Sequence, residues 1–212
     1  MVYPIAKRII PIIPLTLKIW AKRVNGIENT PKQGPFIIAA NHASYMDHFI
    51  IIGTFVKHLN KKIHFLSKKE HFDSPLKAVW HRWAGAIPLD RAKGGKQALR
   101  WAIKALKNGK IIGIHPEGTR TLTGKIQKGK TGVARLVLEA KVPVLPVGLI
   151  GTFEILPKGK YMPKFKKATM NIGKLMSFEK YYNKKITKSL LRKITNEIMR
   201  EIAKLSNQKY SF

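Results

Sequence analysis

Short apolar runs alternate along the chain with longer segments in which apolar residues recur every three or four positions. The first pattern is typical of buried strands, and the second is typical of helices that pack one face on a sheet. One predicted strand begins at Phe36, and the other predicted strands cover residues 61–67, 85–91, 110–114, 142–147 and 168–172. The predicted helices cover residues 47–59, 74–83, 96–108, 130–140 and 187–206. This alternation predicts one α/β domain, residues 31–212, with a mostly parallel or mixed central sheet flanked by helices.

Two of these segments carry additional signals. Pro143 and Pro146 interrupt the strand at residues 142–147, and proline cannot donate a ladder hydrogen bond, so we expect an edge or irregular strand there. The apolar stripe at residues 187–206 predicts a helix that packs on the sheet and has no chemical role.

The first 30 residues form a separate apolar and basic segment interrupted by prolines. Its longest weakly polar stretch, Ile9–Leu17, is too short to cross a bilayer, and the prolines break the apolar core that a secretory signal needs. From Pro14 to Val24, apolar residues recur at helical spacing with basic residues between them. This pattern predicts an amphipathic helix in an anionic lipid interface, or alternatively a helix packed on the domain. We therefore expect a retained segment, which lies either in a membrane surface or on the domain.

A polar turn follows the strand that begins at Phe36. The strand runs into Asn41 and His42, and the helical pattern resumes near Asp47. Residues five apart do not meet on a continuous helix, so His42 and Asp47 can meet only if the chain turns between them. The carboxylate would then accept the imidazole N–H and fix its tautomer, which leaves the other ring nitrogen as a general base.

This base needs a nucleophile. The chain has no cysteine and no Gly-x-Ser-x-Gly segment, which removes the usual acyl-enzyme routes. The pair is therefore predicted to activate a substrate hydroxyl directly. The alternatives are a structural histidine and a metal site, since Asp47 and His48 after His42 partly match a His-x-His-x-Asp-His metal motif. That motif needs a second histidine where this chain has Ser44, so we expect no metal.

Two further strand ends carry charged residues. Arg91 lies between a predicted strand and a predicted helix, where a guanidinium can bind a phosphate or instead pair with Asp90. Glu117, Thr119 and Arg120 follow another strand and offer an acceptor, a hydroxyl and a cation. Such a set suits a glycerol hydroxyl and a phosphate, although a structural turn has the same composition.

The segment Gly124–Thr131 matches the G-x-x-x-x-G-K-[ST] pattern of a phosphate-binding loop. Its context is poor, because polar turn sequence precedes it and no apolar run ending in Asp follows it. A nucleotide-binding protein remains an alternative. The start of the next helix also presents Lys128 and Lys130 to an anion.

The net charge of +30, from 41 Lys and Arg against 11 Asp and Glu, indicates an anionic partner. A membrane surface, an acidic or phosphorylated substrate and nucleic acid all fit this charge. Nucleic-acid binding rests on charge alone, because no nucleic-acid-binding motif accompanies it. The absence of cysteine excludes disulfides and is compatible with a reducing compartment.

Four segments taken together resemble the glycerolipid acyltransferases, specifically the 1-acyl-sn-glycerol-3-phosphate acyltransferases. They are Asn41-His42-x4-Asp47, Gly85–Arg91, Pro116–Arg120 and Val142–Pro146, and the likeness covers about residues 30 to 150. The resemblance implies transfer of a fatty acyl group from acyl-CoA or acyl-carrier protein to the sn-2 hydroxyl of lysophosphatidic acid. The product would be phosphatidic acid, in phospholipid biosynthesis, with no cofactor, metal or acyl-enzyme.

The resemblance also implies roles for individual residues. His42 would be the base and Asp47 its orienting partner, while Arg91 would hold the acceptor phosphate. Glu117 and Gly118 would line the acceptor site, with Thr119 and Arg120 beside them. Asn41 and Lys128 are further residues that we expect to bind substrate. The resemblance also favours the interfacial position of residues 14–24, and with it peripheral or monotopic binding at the cytoplasmic face of a membrane. Two positions depart from the family pattern, since His115 replaces a usual phenylalanine and Pro88 a bulky apolar residue. Both departures affect the expectation about which acceptor the protein uses more than the expectation about which reaction it catalyses.

Overall fold

A seven-stranded mixed sheet forms the centre of the computed structural model, which describes residues 19–75, 78–79, 85–90 and 95–212. The strands are β1 (Ala21–Asn25), β2 (Ile37–Ala40), β3 (Ile63–Lys68), β4 (Ile87–Leu89), β5 (Ile111–Ile114), β6 (Val144–Ile150) and β7 (Ala168–Ile172). The helices are α1 (Met46–Leu59), α2 (Lys96–Lys107), α3 (Gly132–Ala140), α4 (Thr152–Ile155) and α5 (Lys188–Leu205). The strand order is β1-β7-β6-β2-β5-β3-β4, and among these described strands β6 and β7 form the antiparallel pair. The predicted fold class is therefore confirmed.

The central strand β2 is buried on both faces. Because side chains alternate along a strand, Ile37 and Ala39 face the apolar layer that contains residues of α2, α3 and α5. Ile38 and Ala40 face the layer that contains α1. The four helices predicted at 47–59, 96–108, 130–140 and 187–206 all form, within two residues at each end.

The parallel strands direct their carboxyl ends to one edge of the sheet. β2 pairs with β5 on one side and with β6 on the other, all three parallel. Asn41 and His42 follow β2 directly, and His115 follows β5. Such an edge is where open α/β sheets present their functional side chains.

The N-terminal helix prediction is wrong for Ala21–Val24. These residues belong to β1, which pairs parallel with β7 at the edge of the sheet. The open edge of β7 supplies backbone partners, and Trp20 and Val24 pack on the core, so tertiary contacts override a helical spacing read over a short window. The boundary at residue 30 is also wrong, because β1 is part of the main sheet. Residues 1–18 lie outside the described residues, so the remainder of that prediction is open.

The prediction of an edge or irregular strand at residues 142–147 is also wrong. β6 lies inside the sheet, between β2 and β7. Pro146 is tolerated there because the pairing with β7 starts only at Val147, and toward β7 the Pro146 carbonyl accepts from Gly173 N at 2.9 Å. The missing N–H of proline therefore falls where the antiparallel ladder ends.

Only part of the predicted helix at residues 74–83 can be compared with the structure. Pro75, Ala78 and Val79 are helical, and the other residues after Pro75 lie outside the described residues. Within the part of the chain that the structure describes, no helix is long and apolar enough to cross a bilayer.

Gly148 provides a test of how α5 packs on the sheet. A Cβ at this position of β6 would lie 2.5 Å from both Leu205 O and Ser206 N, which are backbone atoms that cannot move independently. We expect Gly148→Ala to lower the free energy of unfolding by about 1–3 kcal/mol through overpacking. The matched control is Gly132→Ala, whose Cβ would meet Leu99 Cδ2 at an ordinary 3.5 Å. Urea denaturation measures both, and equal stability of the two variants would show that α5 is packed differently.

Candidate active site

His42 and Asp47 meet across the turn between β2 and α1. His42 Nδ1 lies 2.8 Å from Asp47 Oδ2, as the sequence predicts. The ring is mostly buried, with 13% of the side chain exposed, and the Asp47 side chain is completely buried. The turn that the spacing required is therefore present, and it closes the pair at a strand end.

The hydrogen bonds to Asp47 determine the tautomer of His42. Asp47 Oδ2 also accepts hydrogen bonds from Ala43 N and Ser44 N, both at 2.8 Å. A carboxylate oxygen accepts two N–H bonds much better than a carboxyl O–H oxygen does, so this arrangement favours an unprotonated Oδ2 and makes His42 Nδ1 the donor. Nε2 is then the ring nitrogen that can accept a proton. Burial raises the pKa of Asp47, and the N–H groups of Ala43 and Ser44 act in the opposite direction.

Glu117 supports the same turn from the segment after β5. Its Oε1 accepts from His42 N at 2.7 Å, and its Oε2 accepts from Gln127 N at 2.9 Å and Gln127 Nε2 at 3.1 Å. Burial raises the pKa of Glu117 to about 7, although these N–H groups favour the ionised form. Both oxygens are thus engaged by the protein, so the observed role of Glu117 is to hold the backbone of His42 in position.

Asn41 holds the other side of the turn. Its Nδ2 donates to Leu149 O at 2.9 Å, and its Oδ1 accepts from Leu149 N at 2.7 Å. The residue is only 2% exposed. This paired bond joins the end of β2 to β6, so the amide positions the turn. The expected contact between Asn41 and substrate stays a prediction.

His115 is a neighbour of His42 that sequence reasoning missed. The two rings stack with centroids 3.9 Å apart and planes 6° apart. The ring of His115 also contacts Ala40 O through Nδ1 at 3.0 Å. Burial lowers the pKa of His115 to about 3, so the ring is neutral and Nδ1 is its donor. The parallel register of β2 and β5, in which Ala39 pairs with Ile114, would have revealed this contact.

A third histidine completes a cluster that could suggest a metal site. His48 lies edge-on to His42 and His115, and ligand nitrogens of the three residues lie within 4.8 Å of one another. The stacked rings of His42 and His115 have parallel planes, so their in-plane lone pairs do not converge on one point. A shared tetrahedral ion would need converging lone pairs at about 2.0–2.1 Å. The observed ring geometry therefore does not fit the metal alternative.

Arg120 is a cation in the segment next to the His42 turn. Its guanidinium carbon lies 3.3 Å from the centroid of the Tyr45 ring, and Tyr45 directly precedes α1. Its Nη1 atom is buried and has no hydrogen-bond partner among the described residues. Thr121 N donates to His42 O at 3.0 Å, which ties this segment to the His42 turn. A buried cationic N–H group without a partner is suited to an anionic ligand.

Other predicted site residues have different surroundings. Gly118 has a φ of +72°, and a Cβ there would lie 2.9 Å from Lys130 Cδ, so glycine lets the turn approach Lys130. Thr119 O accepts from Gln127 Nε2 at 3.0 Å. Lys128 is exposed, and no contact within the described ranges connects it to the site.

Arg91 lies outside the described residues, so its proposed contact with phosphate stays a prediction. Asp90, the alternative partner considered for it, accepts from Lys69 Nζ at 3.1 Å.

The segment Gly124–Thr131 does not form a phosphate cradle. Four of its N–H groups bond to side chains. They are Lys125 N to Thr123 Oγ1 at 3.4 Å, Ile126 N to Gln208 Oε1 at 2.7 Å, Gln127 N to Glu117 Oε2 at 2.9 Å, and Gly129 N to Tyr210 Oη at 3.2 Å. Lys130 N donates to Pro116 O at 2.7 Å. Backbone donors that the fold already uses cannot surround a triphosphate, so the geometry contradicts the nucleotide-binding alternative.

Comparison with known proteins identifies a family. Residues 22–150 match the Acyltransferase family model. The chain is 32% identical over 142 residues to a 1-acyl-sn-glycerol-3-phosphate acyltransferase of Bacillus subtilis, which covers 65% of this chain and 68% of that protein. It is 29% identical over 154 residues to a chloroplastic 1-acyl-sn-glycerol-3-phosphate acyltransferase of Arabidopsis thaliana, which covers 67% of this chain but only 42% of the longer plant protein.

A solved structure extends the similarity beyond the matched segment. The 1-acyl-sn-glycerophosphate (LPA) acyltransferase PlsC from Thermotoga maritima superimposes with a TM-score of 0.72 and 31% sequence identity. The superposition covers 97% of this chain and 81% of that chain. The two proteins therefore share their fold along nearly the whole of this chain.

The burial of Glu117 predicts a pH dependence of stability. An acid with a pKa of about 7 when folded and 4.5 when unfolded binds its proton more tightly in the folded state. Its contribution to stability is therefore complete below pH 4.5 and is lost as the pH rises from 4.5 to 7, by an amount on the order of 3 kcal/mol.

Chemical denaturation of the wild type and of Glu117→Gln between pH 4.5 and 8 measures this contribution. Titration of the other groups is common to both proteins and cancels in the difference. We expect the free energy of unfolding of the wild type to fall with pH relative to the variant. Parallel curves would show that the three N–H bonds keep the pKa of Glu117 near its ordinary value.

Proposed function

The chain belongs to the Acyltransferase family, and on this premise we propose that it transfers a fatty acyl group to the sn-2 hydroxyl of 1-acyl-sn-glycerol-3-phosphate. The product is phosphatidic acid, and the reaction is a step of phospholipid biosynthesis. The observation that carries the proposal is the His42–Asp47 pair, in which hydrogen bonding keeps the proton on Nδ1. The relatives named for this activity support the choice of acceptor.

The reaction is a direct attack of the alcohol on the thioester. His42 Nε2 takes the proton of the sn-2 hydroxyl as its oxygen bonds to the thioester carbonyl carbon. Asp47 stabilises the imidazolium that forms. When the tetrahedral intermediate collapses, the carbon–sulfur bond breaks and His42 returns the proton to the leaving thiolate. The ester and a thiol result, so the step needs no acyl-enzyme, metal or cofactor.

We propose that arginine and lysine side chains bind the acceptor phosphate. Arg120 is the strongest candidate among the described residues, because its Nη1 is buried without a partner and the Tyr45 ring supports its guanidinium. We propose Arg91 and Lys128 as further cations for this phosphate. Gly118 and Thr119 directly precede Arg120 and are proposed to contact the acceptor.

The acyl donor and the membrane account for the overall charge. A net charge of +30 favours the phosphates of acyl-CoA, an acidic acyl-carrier protein and an anionic lipid surface. We assign the protein to the cytoplasmic face of the membrane, bound peripherally or monotopically. The nucleic-acid alternative gains no support from the site. Its central residues, His42 and Asp47, form a mostly buried hydrogen-bonded pair that is suited to proton transfer.

The first test of this function is His42→Ala. Loss of the base should lower kcat by at least ~10²-fold while leaving the fold intact. Transfer of labelled acyl groups to lysophosphatidic acid measures the rate, and circular dichroism checks the fold. The matched control is His58→Ala, which removes an exposed histidine near the end of α1 and should keep normal turnover. Substantial turnover in the His42 variant would exclude the mechanism.

The second test concerns the acceptor phosphate. We expect Arg120→Ala to raise the KM for lysophosphatidic acid roughly 10-fold or more, since a hydrogen bond to a charged group contributes ~1.5–3 kcal/mol. Arg91→Ala should act in the same direction. The control is Arg135→Ala, because Arg135 pairs with Glu139 on the surface of α3. An unchanged KM in either site variant would remove that arginine from the phosphate site.

A further inference from the structure

The loop between α4 and β7 exposes large apolar side chains among lysines. Tyr161 is 91% exposed, Met162 is 82% exposed and Phe165 is 89% exposed. Five lysines lie in the same ten residues: Lys158, Lys160, Lys164, Lys166 and Lys167. No acidic residue occurs between Glu154 and Glu179. A soluble surface rarely leaves three large apolar side chains so exposed within five residues, so this loop is suited to a partner.

Hydrogen bonds fix the shape of this loop, which we call the 158–167 loop. Lys164 N donates to Ile155 O at 2.8 Å, which closes its base. Lys160 N donates to Pro157 O at 3.2 Å, and Trp20 Nε1 donates to Lys164 O at 3.2 Å. The backbone is therefore held by its own turn and by the segment before β1, and the apolar side chains project from a defined base.

The 158–167 loop starts beside the proposed active site. Leu156 O accepts from Ser44 Oγ at 2.7 Å and from Tyr45 N at 3.3 Å. Ser44 is the residue whose N–H binds the carboxylate of Asp47. The same turn that orients His42 therefore anchors the start of the loop, which lies on the α1 side of the sheet.

We propose that the 158–167 loop is a membrane-binding element, in which Tyr161, Met162 and Phe165 enter the interface of an anionic phospholipid bilayer. Aromatic rings favour the headgroup level of a bilayer, and the lysines bind anionic headgroups. An acidic protein surface would pair with the lysines but would leave the three apolar side chains in water. An anionic bilayer binds both the lysines and the apolar side chains, so we prefer lipid as the partner. This inference rests on the proposed membrane association, and the 158–167 loop is the surface that contacts the bilayer.

This position has a consequence for the substrate. A bilayer that contacts the 158–167 loop lies next to the turn that carries His42 and Asp47. A lysophospholipid acceptor can then reach the base without leaving the lipid phase, which explains why the apolar side chains lie on this face.

The absence of cysteine in the chain permits a direct test. Met162→Cys is labelled with an environment-sensitive fluorophore, and the full-length protein is mixed with phosphatidylcholine vesicles with and without phosphatidylglycerol. We expect a blue shift and an intensity increase with the anionic vesicles. The matched control is Arg200→Cys, an exposed position on α5 at the opposite face of the sheet, where the emission should not change.

A second variant measures the energetic contribution of the loop. Replacing Tyr161, Met162 and Phe165 together by serine should weaken binding to anionic vesicles at least ~10-fold, as measured by co-sedimentation. These side chains are exposed, so thermal unfolding should stay unchanged. The rate of acyl transfer to detergent-dispersed acceptor should also stay unchanged.

Vesicle binding without a change in the label at residue 162 would overturn the loop proposal and leave the acyl transfer proposal intact. A shift produced by acidic carrier protein and not by vesicles would also overturn it. Conversely, a shift with anionic vesicles in a protein without transferase activity would support the loop and contradict the proposed reaction.

Discussion

The site depends on one carboxylate oxygen that three donors surround. Asp47 Oδ2 accepts from Ala43 N, Ser44 N and His42 Nδ1, each at 2.8 Å. The two backbone donors fix the conformation of the turn. Because they bind an anionic oxygen better than a protonated one, they also favour the tautomer of His42 with its proton on Nδ1. A single buried oxygen thus links the local fold to the chemistry, since the same bonds that form the turn prepare the base.

The neighbouring strands hold this turn from outside. Asn41 bonds to β6 through Leu149, Glu117 binds the backbone N–H of His42, and His115 stacks on its ring. All of these groups are buried, and buried polar groups stabilise one arrangement only when their partners are present. Because burial keeps His115 neutral, it can support the ring without adding a competing positive charge beside the imidazolium.

The local features of the site could be predicted from sequence and the long-range ones could not. The five-residue spacing and the strand-to-helix pattern predicted the contact between His42 and Asp47. The partners of Glu117 and Asn41 are 75 and 108 residues away along the chain, and only the strand order brings them together. The errors at β1 and β6 have the same origin, because pairing with β7 decides both strands and local spacing does not encode it.

The protonation state of the His42 ring tests this account most directly. Nitrogen-15 NMR of protein labelled at histidine, with His42→Ala used to assign the resonance, distinguishes the protonated nitrogen from the unprotonated one at neutral pH. The geometry at Asp47 predicts that Nδ1 carries the proton and that Nε2 does not. A neutral ring protonated at Nε2 would contradict it, because that nitrogen could then not take a proton from an alcohol.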